Sequence, residues 1–117
     1  VTNYRGGADF EREVRAALVA DGYQLVVRSA GSKTKVDLVA FKRDQVLFVQ
    51  CKRNGVCPPA ERVELLRVAG LLPSVAVPVL ASRPGVTYRR LVGPGPKQWE
   101  PWSTDITTEE VPCPTGS

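Results

Sequence analysis

An acid, an amide and an amine are spaced so that a hairpin would gather them. Asp37 sits in the run Val36-Asp37-Leu38-Val39-Ala40, and Gln50 and Lys52 close the run Val46-Leu47-Phe48-Val49-Gln50-Cys51-Lys52. An Asp among Val, Leu and Ala is costly to bury without a partner, so its placement suggests a task. With a two-residue turn at Arg43-Asp44, antiparallel pairing puts Asp37 opposite Gln50. Opposed residues have Cβ atoms about 5 Å apart, within reach of one shared cation. Side chains alternate along a strand, so Lys52 shares the face of Gln50. It would stand ready to orient or activate water, or to neutralise phosphate charge. The chemistry this favours is metal-assisted hydrolysis of a phosphodiester. A different turn length would shift the register and undo the arrangement.

Two further segments could join this site. On a helical wheel, Glu11 and Glu13 flank an apolar face on opposite sides, while Arg12 points away from it. Physics alone does not choose between the two glutamates, and a solvated helix charge is the commoner fate of either. The string Arg28-Ser29-Ala30-Gly31-Ser32-Lys33-Thr34-Lys35 is small, hydroxylated and basic. Such a loop lets backbone approach a phosphate and offers it amides and cations. Taken alone it reads as a flexible polar loop, but directly before Asp37 it would hold a phosphate beside the proposed cation.

The elements that must position these residues follow from pattern. Residues 8–21 read as an amphipathic helix with Phe10, Val14, Ala17 and Leu18 on one face. Asp9 suits its start and Asp21-Gly22 its end. Tyr23 to Arg28 is a strand candidate, and residues 36–42 and 45–52 are two more. Pro58-Pro59 opens a second helix over about 59–70, with Val63, Leu66 and Val68 or Ala69 facing inward. Val75 to Ser82 is an apolar strand in which Pro78 suggests an edge or a bulge. Thr87 to Val92 is a last short strand. The order predicts an α/β fold, one central mixed β-sheet flanked by helices. A domain over 1–92 would then be followed by a Pro-rich acidic arm or tail over 93–117, whose Trp99 and Trp102 dock on the domain or on a second subunit.

Composition narrows the chemistry. The 117 residues fit one domain with a modest core. There is no histidine, which excludes Ser-His triads and His-liganded zinc. A metal would be held by oxygen, favouring Mg²⁺ or Mn²⁺. Cys51, Cys57 and Cys113 match no common zinc spacing and read as reduced thiols of a cytosolic protein, Cys51 in the core. Neither a membrane span nor a secretory leader is visible. The net charge of +4 is uneven: residues 1–97 hold all sixteen basic residues against eight acids. A domain that basic is a candidate for binding a polyanion.

Tyr4-Arg5-Gly6-Gly7, Glu11-Arg12-Glu13, Val27-Arg28-Ser29-Ala30-Gly31-Ser32-Lys33, the Asp37 run and Gln50-Cys51-Lys52 together resemble the archaeal-type Holliday junction resolvases of the PD-(D/E)xK nuclease superfamily. The resemblance covers roughly residues 4–53. It implies a restriction-endonuclease-like fold and a homodimeric, Mg²⁺-dependent endonuclease that nicks four-way DNA junctions symmetrically. By position it makes Glu11 the helix carboxylate, Asp37 the central metal ligand and Lys52 the motif lysine. Arg12, Arg28 and Ser32 fall where the family contacts DNA or supports the site. Arg5, Lys33 and Lys35 would add contacts to the DNA backbone. The setting would be the cytoplasm of an archaeon or of a virus-infected cell.

One departure stands out. The family's acid before x-Lys is Gln50 here. An amide oxygen can bind a cation but brings no charge. Gln50 could be a working variant ligand, Glu61 or Glu64 could supply the missing carboxylate, or the site could be disabled. The retention of Glu11, Asp37 and Lys52 favours a working variant. The rival functions are a repair nuclease acting on flaps, nicked duplex or single strands, a non-catalytic junction- or DNA-binding module, and a structural subunit of a repair complex.

Overall fold

The computed structural model describes residues 2–29 and 36–104, with side chains from Asp9 onward. Its elements are α1 (Thr2–Ala20), β1 (Leu25–Arg28), β2 (Leu38–Lys42), β3 (Gln45–Cys51), α2 (Pro59–Ala69), β4 (Ala76–Ser82), β5 (Thr87–Leu91) and β6 (Trp99–Trp102). The strands form one sheet in sequence order. Every neighbouring pair is antiparallel except β3 and β4, which run parallel because α2 carries the chain back across the sheet. The architecture is thus the mixed α/β sheet with flanking helices that the sequence predicts.

The two faces separate by parity. On one, Phe10, Val14 and Leu18 of α1 pack on Val26, Leu38, Ala40, Leu47, Val49, Val77 and Val79. On the other, Leu65 and Ala69 of α2 pack with Val36, Phe48, Ala76 and Leu91. The helical spacing of the α1 residues and the two-residue repeat of the strand residues make each face continuous.

The β2–β3 hairpin turns at Arg43-Asp44 and pairs Leu38 with Val49 and Lys42 with Gln45. The regular pairing stops there: the Asp37 N–H donates to the Val49 carbonyl, so Asp37 and Leu38 both lie against Val49 and the expected pair of Asp37 with Gln50 is not formed.

Four further details differ from the sequence reading. α1 begins at Thr2, so Asp9 lies inside it and accepts a bond from Arg12 instead of capping. α2 turns Arg62, Leu65 and Ala69 inward, leaving Val63 55% exposed. Arg62 can be buried because its Nε donates to the Pro94 carbonyl at 2.8 Å and its Nη1 to the Cys57 carbonyl at 2.8 Å. Pro78 is in neither an edge strand nor a bulge: β4 is central, and Pro78 pairs with Phe48. The ladder to β5 starts only at Val79, so the missing N–H of Pro78 interrupts no bond there.

The fourth is β6. Trp99 to Trp102 joins the sheet beside β5, with Trp102 opposite Tyr88 and Trp99 opposite Leu91. Both tryptophans therefore dock on the domain itself. Trp102 meets Tyr88 edge to face at 5.8 Å, and the Arg89 guanidinium lies 5.0 Å from the Trp99 ring. No helix among the described residues is long and apolar enough to cross a membrane.

Candidate active site

Asp37 lies just before β2, where the hairpin meets the start of the sheet. Its backbone N–H donates to the Val49 carbonyl and its carbonyl accepts from Ser29, both at 2.9 Å. The Cys51 backbone N–H donates to Asp37 Oδ2 at 2.8 Å, so the strand opposite fixes the carboxylate as well as the backbone. Cys51 itself packs against the α1-side core, and burial pushes its thiol well up.

The Asp37 carboxyl is raised above its ordinary value. Burial is the largest cause, partly opposed by the Cys51 N–H bond; Glu11 raises it further, Lys52 lowers it and Glu61 raises it. The charges that act on Asp37 thus come from three separate elements: α1, the end of β3 and α2.

Gln50 follows the parity of Phe48 and faces α2. It is only 3% exposed. Its Nε2 donates to Glu61 Oε1 at 2.7 Å, and Lys52 Nζ reaches the same oxygen at 2.9 Å. The Gln50 Oε1 atom is buried and has no partner among the described residues. Glu61 is in the first turn of α2, which Pro58 and Pro59 set immediately after the loop leaving β3. Glu64 goes elsewhere, taking two bonds from Arg67 at 2.9 and 2.8 Å.

On the other side, Arg28 Nε donates to Glu11 Oε1 at 2.7 Å. Glu13 instead binds Arg83, at 2.8 and 3.2 Å. The fold thus separates the two glutamates, open on the helical wheel: Glu11 pairs with Arg28 and acts on Asp37, whereas Glu13 pairs with Arg83. Arg12 is exposed and paired with Asp9 at 2.7 Å, away from the cluster. Ser32, Lys33 and Lys35 lie outside the described residues, as does the side chain of Arg5.

The donors offered here are carboxylates and one orphaned amide oxygen, the set a hard dication prefers. As they stand, the side chains are drawn onto basic partners: among the described residues no three Asp, Glu or Cys side chains converge on a common point. Donor chemistry fits an ion, and filling the site requires Arg28 and Lys52 to release Glu11 and Glu61. The sequence reading did not foresee the Cys51 N–H as the clamp on Asp37. The regular hairpin register did not contain that signal, because the Asp37 N–H bonds the Val49 carbonyl and shifts the pairing by one residue at that point.

A family model described as archaeal Holliday junction resolvase (Hjc) matches residues 2–59. The crossover junction endodeoxyribonuclease Hjc of Methanocaldococcus jannaschii is 49% identical over 52 residues, which are 44% of this chain and 38% of that protein. The match thus spans well under half the length of the curated relative. The structure of Archaeoglobus fulgidus Hjc, a Holliday junction resolvase from an archaeal hyperthermophile, aligns with a TM-score of 0.56 at 24% identity. That likeness covers 73% of this chain and 75% of the other, and it shows the shared fold. Glu11, Arg28, Asp37, Gln50 and Lys52 all lie within the matched span, and over residues 2–59 the chain is similar to the archaeal Holliday junction resolvase family.

Proposed function

We propose that the chain is a divalent-cation-dependent endodeoxyribonuclease that resolves four-way DNA junctions by paired, symmetric nicks. The observation that supports this reading is that Glu11 and Lys52 both act on the Asp37 carboxyl inside the family-matched span, while Gln50 and Lys52 share one oxygen of Glu61. Asp37, Gln50 through Oε1 and Glu11 would hold Mg²⁺, with Mn²⁺ as a substitute. When bound, the ion would supply Lewis acidity at the scissile phosphate and a more acidic water. Lys52 orients the nucleophile or stabilises charge growing on the phosphate. Arg28, with Arg5, Arg12, Ser32, Lys33 and Lys35, contacts the DNA backbone, which positions a junction without reading its sequence. Two copies related by a two-fold axis would give the paired nicks. The cytoplasm is the compartment that suits such a substrate.

A second reading has its own observation. Glu11 and Glu61 are both neutralised by basic partners, and Gln50 brings no charge. A junction-binding module without catalysis would look the same.

Both readings are tested with a labelled synthetic four-way junction in Mg²⁺ and, separately, in Mn²⁺. Paired nicks that vanish in Asp37→Asn support the nuclease. Binding without cutting, unaltered by Gln50→Glu, supports the module. Cutting gained only in Gln50→Glu identifies a nuclease site disabled at that position.

A further inference from the structure

We propose that Glu61 supplies the carboxylate that the family carries at the position of Gln50, so that the cation site is shared between β3 and α2. The proposal rests on the nuclease reading of the same site and adds a ligand to it. Glu61 lies two residues beyond the family-matched span, so the family match does not assign it.

Two contacts and one unpartnered atom carry the assignment. A strand acid two residues before a lysine would sit beside that lysine on one face of β3. Here the lysine has an acid partner, but from the helix: Lys52 Nζ is 2.9 Å from Glu61 Oε1. The same oxygen accepts the Gln50 amide N–H at 2.7 Å. That bond fixes which way the amide points, leaving Gln50 Oε1 buried with no partner among the described residues. A buried carbonyl oxygen is seldom left unsatisfied, and a cation in the site would satisfy it. Gln50 and Glu61 together therefore offer one neutral oxygen and one negative charge where the family has a single side chain.

The alternative for Glu61 is purely structural: an ion pair with Lys52 at a helix N-terminus, where an acid is favoured anyway. The two roles respond differently to moving the charge. If Glu61 is a ligand, what matters is that one carboxylate stands at either position. If it is structural, the charge is needed on the helix and the cation is indifferent to it.

The test is Mn²⁺ titration of the full chain without DNA, by calorimetry, on the wild type, Glu61→Gln, Gln50→Glu and the double exchange Gln50→Glu/Glu61→Gln, with a thermal melt of each. Glu61→Gln should bind Mn²⁺ at least about tenfold more weakly, and the double exchange should return to near wild-type affinity. Unchanged Mn²⁺ binding in a folded Glu61→Gln overturns the proposal. So does a double exchange that folds yet binds as weakly as Glu61→Gln, which keeps the test decisive if the single variant unfolds. A wild type that binds no Mn²⁺ overturns it as well. A junction-cleavage arm separates this from the functional reading. Glu61-dependent Mn²⁺ binding without cleavage sustains the site and removes the nuclease; cleavage indifferent to Glu61→Gln does the reverse.

Discussion

Arg28 and Glu11, seventeen residues apart in sequence, meet through a 2.7 Å bond from Nε to Oε1. The first is a candidate phosphate contact and the second a candidate cation ligand, so each occupies the other while DNA and metal are absent. Arg28 is more than half exposed, whereas Glu11 is largely covered. An arriving phosphate can draw Arg28 away and leave Glu11 behind, facing Asp37.

Arg28→Ala should therefore change two affinities in opposite directions. Exposed pairs contribute roughly 0.2–1 kcal/mol, so freeing Glu11 raises Mn²⁺ affinity of the DNA-free protein by at most about fivefold. Junction affinity falls, and its salt dependence shallows by about one phosphate contact. Titration of the variant with Mn²⁺ and with junction at several salt concentrations checks both. A lower Mn²⁺ affinity would contradict the competition.

Asp37→Asn should lower cleavage by at least about 100-fold, beyond the loss expected from an outer-shell partner, and yet make the protein harder to melt. Asn keeps an acceptor for the Cys51 N–H and removes a buried charge that Glu11 and Glu61 oppose. The sign follows from linkage. A carboxyl raised in the folded state adds stability below its unfolded value, and that stability is lost as pH rises through the folded value. Near neutral pH the wild type carries this cost and the variant does not. Thermal melts across the acid-to-neutral range should show the variant's advantage growing with pH; a lower melting temperature at neutrality would refute the account.

The same raised carboxyl sets the acid limb of the cleavage profile. Proton and cation compete for Asp37, so the limb should lie above the ordinary Asp range and move to lower pH as Mg²⁺ is increased. A limb indifferent to Mg²⁺ concentration would mean that another group controls it.

Trp102→Ala should weaken the domain itself by about 2 kcal/mol, through loss of a half-buried aromatic and its edge contact with Tyr88. The melting temperature falls while the solution mass stays the same. A fall in mass with the melting temperature unchanged would instead place Trp102 at a subunit contact.

The β2–β3 hairpin was legible because strand registers are arithmetic: once Arg43-Asp44 is the turn, Leu38 must pair with Val49. The next step was not, because the Asp37 N–H also turns to the Val49 carbonyl and takes Asp37 out of the expected pair with Gln50. The α1 face was legible because Phe10, Val14 and Leu18 recur at helical spacing and are all buried. The orientation of α2 was not. Arg62 is buried only because two carbonyls, on Cys57 and Pro94, converge on it, and no local pattern announces that. Pro78 misled because its cost depends on where the neighbouring ladder begins. β6 was hidden for a related reason: Trp99-Glu100-Pro101-Trp102 lacks an aliphatic run, and it holds to the sheet through its pairing with β5 and its two rings. Between Glu61 and Glu64, sequence offered no choice, since both lie on α2 and only the packing of that helix says which one meets Gln50.

The parallel pairing of β3 and β4 gives the site a further property. A parallel neighbour requires a crossover, and here the crossover is α2, which enters directly after the strand that carries Gln50 and Lys52. The first turn of that helix is thus tethered over the strand's end by a seven-residue span, 52–58. Residues 50 and 61 behave as two addresses for one charge. An acid can be relocated between them by two substitutions, with no change of scaffold, loop length or strand order. The topology itself makes the site forgiving of which side chain bears its charge.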